Sequence, residues 1–442
     1  MYATKVLSLI TGFFTIIGAI FLSYRFEMDD KIRIGVLFPT IFVILYFALR
    51  YNPVDLLLAC FLIYYLYFIF NSAYSQKLYN GVLCGIFAAM AYLTKSYAFP
   101  FFIAHFTIMN SFYYLKNVST RKKLLKNLFL GLAVFFIISG TWSAVISDKY
   151  SQITFGTSGK YNFEEVGPIQ HGSPIWNGFM KPPNDKSISA WEDPSYFKMK
   201  LWNPLSSWKS FIYLLKLVIN NFLKLIGYIQ QFSYFSLIIH IIYLSFLFRS
   251  QRKLISSNGE RIYPILTIIL FCAGYLFIFV EPRYFFIVYI LIILMGGYLP
   301  NILFKTGFLN NWGKLLLLFL FISPLVIISV SSLVNDRGTG QEFYLVSNSI
   351  NGYNIHGNIA SNDKYMDSLN LVYYLNAHYY GTATNSSTKQ PLSDLELEKS
   401  FKEYNIDYYF FWGNSNTNSN LLTKYKEITH GTIKGLKIYK IR

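Results

Sequence analysis

Ten apolar stretches run from about residue 6 to about residue 333, and the loops between them carry their Lys and Arg on alternate sides. Few folds are open to a chain patterned in this way. Inside hydrocarbon every backbone N–H and C=O must find its partner within the protein, so such segments are helices. The pattern predicts an all-α polytopic transmembrane bundle of about ten spans, placed at 6–24, 34–49, 53–71, 80–94, 98–115, 127–146, 232–249, 262–280, 284–304 and 314–333. The first stretch, Val6–Ser23, has the length of a signal sequence but no small-residue cleavage site, and reads as a retained helix. From Asn335 onward the composition is that of a soluble domain.

Composition agrees with this reading. The chain is 54% hydrophobic and 14% charged, which argues against an ordinary soluble protein, and its 19% of Phe, Trp and Tyr suits interfacial aromatic belts. A net charge of +17 invites comparison with nucleic-acid binders. The cations lie between apolar spans, however, and not along one helix face or tail, so the excess sets topology and contacts anionic lipid; no nucleic-acid partner is expected. Cys60, Cys84 and Cys272 all fall inside apolar stretches, where thiols behave as small hydrophobes.

Charge bias fixes the expected sidedness. Arg25, Lys31 and Arg33, then Lys77, then Lys116 and Arg121–Lys126, then Arg249–Arg261, then Lys305 and Lys314 belong to loops on the cytoplasmic side. The opposite side receives Lys5, Arg50, Lys95 and Arg283, together with the long 147–231 segment and the 334–442 tail. The expected organisation is N-terminal transmembrane helices over 1–146, an extracytoplasmic loop with an interfacial helix over 147–231, C-terminal transmembrane helices over 232–333, and a small extracytoplasmic α/β domain over 334–442. Lys209, Lys216 and Lys224, spaced about two turns apart in an apolar background, predict the interfacial helix. In the tail, Tyr353–Ser361 and Ile406–Trp412 read as strands, and Asp367–Tyr380 and Ser393–Tyr404 as helices. Asn362 or Asp363 is the expected cap of the first, and Ser393 with Glu396 forms a capping box on the second. No phosphate loop or dinucleotide fingerprint is present.

Several charged groups collect at the outer ends of spans: Arg50 with Asp55, Lys95, and Glu281-Pro282-Arg283-Tyr284. A single cation at a helix end commonly snorkels to the interface. Several at one depth point to a functional site, because charges near hydrocarbon are costly unless paired or solvated. Ammonium and guanidinium groups at headgroup level suit a lipid-linked phosphate, and sugar transfer from such a donor needs a carboxylate to deprotonate the acceptor hydroxyl. The carboxylates on offer are Asp55, Glu281 and the acids of Trp191-Glu192-Asp193-Pro194. Asp55 equally suits the N-terminal turn of a helix, and Glu281 equally suits a partner for Arg283 or Lys95. His171, in Gln170-His171-Gly172, and Trp191 are the loop residues able to touch substrate, as acid or base and as a stacking face; incidental placement and interfacial anchoring are their plainer readings. His105 and His240 lie inside spans, where a helix-to-helix hydrogen bond accounts for them.

Lys5-Val6-Leu7-Ser8-Leu9-Ile10-Thr11-Gly12, Asn52-Pro53-Val54-Asp55-Leu56-Leu57, Gly81-Val82-Leu83-Cys84-Gly85 leading to Tyr92-Leu93-Thr94-Lys95, and Glu281-Pro282-Arg283-Tyr284-Phe285 together resemble the GT-C membrane glycosyltransferases. The nearest branch is that of the dolichyl-phosphate-mannose-protein mannosyltransferases and bacterial aminoarabinose transferases, over about residues 5–300. The resemblance implies an integral membrane glycosyltransferase with a polyprenyl-phosphate-linked sugar donor, a lipid, glycan or protein acceptor, inverting transfer on the extracytoplasmic face, and in some members a divalent cation. Asp55 and Glu281 are then the catalytic carboxylates, and Arg50, Lys95, Arg283, Tyr284, His171 and Trp191 the substrate-binding set. The family's acidic loop after its first helix has no counterpart here, since Asp29-Asp30 falls on the cytoplasmic side; the chain reads as a member shortened at its N-terminus. Two other readings stay open. One is a transporter or flippase of lipid-linked glycans, and the other a non-catalytic remnant of the family. An O-antigen-ligase-like polymerase is disfavoured, because residues 147–207 contain no Arg.

Overall fold

The computed structural model describes residues 2–26, 28–116, 118–168, 174–176, 178–197, 199, 201–232, 241, 262–305, 310–385, 390–413, 420–433 and 435–442. These fall into two units, one built from residues 1–159 and 204–336 and the other from 160–203 and 337–442. The boundaries expected from sequence are thereby corrected: the middle of the long 147–231 segment folds with the tail and not as a separate loop. The cause is backbone pairing, which hydropathy does not report. Phe179 and Gly178 are hydrogen-bonded in register with Gly381 and Thr382.

The first unit is helical. Its elements are α1 (Tyr2–Ser23), α2 (Asp30–Arg50), α3 (Pro53–Ile69), α4 (Tyr79–Thr94), α5 (Ala98–Lys116), α6 (Arg121–Lys149), the short α7 (Ser158–Glu165) at the boundary between units, α8 (Trp208–Phe232), α9 (Tyr263–Leu276), α10 (Phe286–Lys305) and α11 (Asn311–Asn335). Among the described residues five helices, α1, α2, α6, α8 and α11, are long and apolar enough to cross a membrane, and α3, α4, α9 and the 282–297 stretch are shorter apolar helices. Of the expected helix at 232–249, all but Phe232 and Ile241 lies outside the described residues. So does His240.

Burial sorts these helices into inner and outer. Every residue from Phe285 to Met295 is at most 4% exposed, as expected of a helix that is apolar all round and enclosed by others. By contrast α6 and α11 leave Phe129, Ile137, Val145, Phe319, Ile327 and Val334 more than half exposed. A continuous apolar exterior of this kind is stable only against another apolar phase. On α8, Asn221, Leu225 and Ile229 form a buried stripe at i, i+4, i+8, while Lys209, Lys216 and Lys224 are exposed. Asn221 donates to the carbonyls of Leu276 and Ile278 at 2.9 and 3.0 Å, satisfying groups that the end of α9 leaves without intrahelical partners.

Two devices hold the bundle together without relying on hydrophobic contrast. The first is close approach at glycine. A Cβ on Gly81 would strike the backbone of Asn127, one on Gly85 would strike the carbonyl of Gly131, and one on Gly131 would meet the Phe106 ring at 2.6 Å. Helices α4 and α6 therefore touch backbone to backbone, with small residues four apart on α4 making room. The second is a buried chain of hydrogen bonds across three helices. Thr267 on α9 donates to the Tyr263 carbonyl at 2.8 Å, so the His105 Nε2 proton must point at the Thr267 hydroxyl, 2.7 Å away. His105 Nδ1 is then the acceptor for the Tyr65 hydroxyl at 2.6 Å. His105, on α5, is thus held neutral as an interhelical tie, as its position in an apolar span predicts.

The second unit carries a six-stranded sheet in the order β1-β3-β2-β4-β6-β5: β1 (Gly178–Phe179), β2 (Asn358–Ser361), β3 (His378–Thr382), β4 (Tyr408–Trp412), β5 (Lys426–Glu427) and β6 (Leu436–Lys440). The central trio β3-β2-β4 is parallel and the outer pairings are antiparallel. Helices α12 (Gln341–Ile350) and α13 (Tyr365–Tyr374) pack on one face, and α14 (Asp394–Glu403) on the other. Expectation and structure agree on α14, whose capping box pairs Ser393 with Glu396. They differ on α13, which ends at Tyr374, so that residues expected to continue it form β3. Its N-cap is Lys364, and Asn362 instead exchanges hydrogen bonds with both backbone groups of Trp412 at 2.7 and 2.9 Å.

The glycine contact gives a stability test. Gly81→Ala should cost about 1–3 kcal/mol, since the clashing atoms are backbone and cannot rotate away. Thermal unfolding of the detergent-solubilised protein should show this loss, and Gly140→Ala, where a Cβ meets nothing within 4 Å, should show none.

Candidate functional site

Asp55 sits in the first turn of α3. Asn52 caps that helix, its side chain accepting from the Val54 N–H, and Pro53 occupies the first helical position. Since Asn52 performs the capping, the Asp55 carboxylate is left to face other elements. It is 6% exposed, and a buried carboxylate requires cationic partners.

Two arrive from distant parts of the sequence. Lys95 ends α4, and its Nζ donates to Asp55 Oδ1 at 2.7 Å. Arg283 lies in the turn of 3₁₀ helix between α9 and α10, with Nε 3.8 Å from Asp55 Oδ2 and 2.5 Å from Glu281 Oε2. Tyr284 packs beneath both: Lys95 Nζ stands 3.8 Å above its ring centre and the Arg283 guanidinium 5.2 Å away. Tyr284 stacks on Tyr275 at 4.9 Å, and Tyr275 on Tyr97 at 4.0 Å. The result is two carboxylates and two cations on an aromatic floor. Lys95 and Arg283 each keep donor capacity beyond these bonds, because an ammonium offers three N–H groups and a guanidinium five.

Of the residues singled out from sequence, Asp55, Lys95, Glu281, Arg283 and Tyr284 are therefore in mutual contact. Arg50 has a carboxylate partner of its own. It pairs with Asp336 at 3.0 Å and lies 5.5 and 5.7 Å from the rings of Tyr46 and Tyr51, because the end of α2 runs alongside the end of α11. Trp191 belongs to the second unit, where it packs on Trp176 at 5.1 Å, and Trp176 meets Tyr365 edge-on at 4.9 Å. His171 lies outside the described residues.

Beyond Tyr284, the aromatic floor is not legible in the sequence. Tyr97 and Tyr275 are ordinary members of apolar stretches there, and only the absence of a Cβ at Gly274 signals that something large lies against α9: a Cβ would meet the Tyr97 ring at 2.7 Å. In the second unit, Glu164 is 7% exposed with the Lys160 ammonium 4.0 Å away, and burial raises its carboxyl above the ordinary range. Its spacing from Lys160 is visible in sequence, but its burial is not.

A divalent cation does not fit the cluster. Both oxygens of Asp55 face cations, as does Glu281, and among the described residues no three His, Cys, Asp or Glu side chains converge. What the fold and site define is a helical bundle with apolar exterior helices and a charge-balanced carboxylate–cation cluster at helix ends. No known family matches the chain by sequence, and no curated protein is significantly similar to it.

The cluster predicts non-additive energetics. Lys95→Met leaves the buried carboxylate with Arg283 alone, 3.8 Å away, and should cost about 2 kcal/mol, while adding Asp55→Leu to it should restore a good part of that loss. Strictly additive losses in thermal melts of the two single variants and the double variant would show that the groups do not interact.

Proposed function

We propose that the chain is a multi-pass membrane glycosyltransferase of the GT-C type, moving a sugar from a polyprenyl-phosphate donor to an acceptor hydroxyl on the extracytoplasmic face. The observation that carries this reading is the meeting of Asp55, Lys95 and Arg283. A shielded carboxylate and two cations with spare donors, held at the ends of apolar helices, meet the chemical needs of such a transfer.

In this proposal Asp55 accepts the proton of the acceptor hydroxyl as its oxygen bonds to the anomeric carbon from the face opposite the phosphate. The bond between that carbon and the phosphate oxygen breaks, the electron pair leaving with the polyprenyl phosphate, and the configuration inverts. Lys95 and Arg283 offset the charge that develops on the departing phosphate. Tyr284 offers the ring against which both cations are already held, and Glu281 keeps Arg283 oriented until a phosphate competes for it. About ten spans, with the cluster and the second unit outside the cytoplasm, complete the reading. The charge bias of the loops and the apolar exteriors of α6 and α11 support it.

Helix α6 makes the topology testable. Its 29 residues extend roughly 43 Å, enough for the hydrocarbon core and a headgroup layer. The native cysteines Cys60, Cys84 and Cys272 are buried, so the protein is a quiet background for labelling. In intact cells, Lys149→Cys should react with an impermeant maleimide and Lys123→Cys only after permeabilisation; the reverse pattern rejects the orientation. For the chemistry, purified protein in proteoliposomes is assayed for sugar release from a polyprenyl-phosphate donor. Asp55→Asn, which keeps shape but not basicity, should lower turnover by about 10²–10⁴-fold with folding retained, and Lys95→Ala or Arg283→Ala should weaken donor binding. Unchanged transfer in all three removes the assignment. A purely structural lock predicts instead a lost folded fraction and no donor dependence.

A further inference from the structure

The crevice at the carboxyl ends of parallel strands, where ligands of open α/β sheets usually bind, lies here between β2 and β4 and is already filled. Asn362 bridges it to the Trp412 backbone, and the Trp412 indole donates to Ser368 at 2.7 Å. The opposite end of the same sheet is different. A cleft of about 300 Å³ opens there, lined by Tyr353, Tyr408, Lys426, Ile428, His430 and Lys440.

Sheet register explains how its polar groups come together. Lys440 on β6 is directly opposite Tyr408 on β4 and directly opposite Lys426 on β5. Directly opposed residues of antiparallel strands project from the same face with Cβ atoms about 5 Å apart, so both ammonium groups reach a common point. Like charges in that relation destabilise a sheet. Among the described residues no carboxylate forms an ion pair with either lysine. The neighbouring acids are otherwise engaged: Asp407 accepts from the Asn358 N–H at 2.8 Å, and Glu427 accepts from the Thr429 hydroxyl. Lysine on an edge strand commonly blocks aggregation, which accounts for Lys426 on β5. It does not account for Lys440, because β6 is flanked on both sides. His430 completes the rim in a left-handed conformation, φ +47°, a backbone state that a non-glycine residue seldom adopts.

We propose that this cleft is a binding site for a phosphate group carried on a small polar molecule of the sugar-phosphate class. The phosphate sits between Lys426 and Lys440, His430 adds a donor, and the body of the ligand lies on Tyr353, Tyr408 and Ile428. A phosphate relieves the repulsion between the lysines and uses a volume too large for a bare ion. The site is separate from the Asp55 cluster and does not rest on the proposed transfer reaction.

The test uses the full-length protein in phosphatidylcholine nanodiscs, titrated calorimetrically with glucose 6-phosphate, glucose and inorganic phosphate, and separately rebuilt in discs containing phosphatidylglycerol. Glucose 6-phosphate should bind and glucose should not, and Lys440→Ala or Lys426→Ala should each weaken binding about tenfold or more, the scale of one charge-assisted hydrogen bond. Lys440→Ala should also raise the melting temperature of the unliganded protein, because it removes an opposed like charge. If soluble phosphates fail but phosphatidylglycerol stabilises the protein in a manner that Lys440→Ala abolishes, the phosphate is a lipid headgroup's and the site stands. Binding unaffected by both lysine substitutions, or no lysine-dependent response to any of these probes, overturns it. Lys440→Gln, which keeps the stem of the side chain, replaces the alanine variant should that fail to fold.

Discussion

A carboxylate almost wholly shielded from water is the constraint around which the helical unit is organised. Asp55 begins α3 among apolar helices, and leaving it unpaired would cost more than most single contacts in a protein supply. Its needs are met by Lys95 from the end of α4 and Arg283 from the turn before α10, so three stretches separated by 40 and by nearly 190 positions in sequence are tied to one point. The helix dipole adds to this, because the N-terminal turn of α3 favours a negative group there. The cluster therefore fixes the heights of α3, α4 and α10 relative to one another, which packing among smooth apolar surfaces leaves loosely specified.

Elsewhere in the bundle specificity comes from groups with definite geometry. Gly81, Gly85 and Gly131 select one approach of α4 to α6, and the Tyr65–His105–Thr267 chain selects one rotation each of α3, α5 and α9. Neither device depends on expelling water, which suits helices whose outer sides leave Phe129, Ile137 and Phe319 exposed. The sheet unit solves the opposite problem by ordinary means, with apolar layers on both faces of the strands and caps such as Ser393 with Glu396.

Hydropathy carried most of the individual helices into view, because long apolar runs have few alternatives. It also marked Asp55, Lys95, Glu281 and Arg283, since ionisable residues beside such runs stand out. Pairing partners were beyond reach. Nothing near Arg50 in sequence points to Asp336, and the joining of 178–179 to β3 is a register between strands some 200 residues apart. Likewise β3 was absorbed into the preceding helix, because His378–Thr382 is too short and too aromatic for period alone to separate it from Tyr365–Tyr374. The deeper part of the tyrosine floor was hidden for a related reason: in a chain with 37 tyrosines, Tyr97 and Tyr275 have nothing to set them apart.

The four charges of the cluster differ in how firmly they are held, and the difference bears on how an anion enters. Asp55 and Lys95 are 6% and 24% exposed at the side chain, whereas Glu281 and Arg283 are 39% and 37% exposed. Solvent weakens the outer pair and leaves the inner pair strong. On the proposed function, an incoming phosphate would compete most easily with Glu281 for the Arg283 guanidinium, which offers a second pair of N–H groups for two-point contact. Asp55 and Lys95 need not separate for this to happen. On the proposed reading the base stays where the fold places it while the phosphate is exchanged in at the rim, so substrate entry and the integrity of α3 against α4 do not oppose each other.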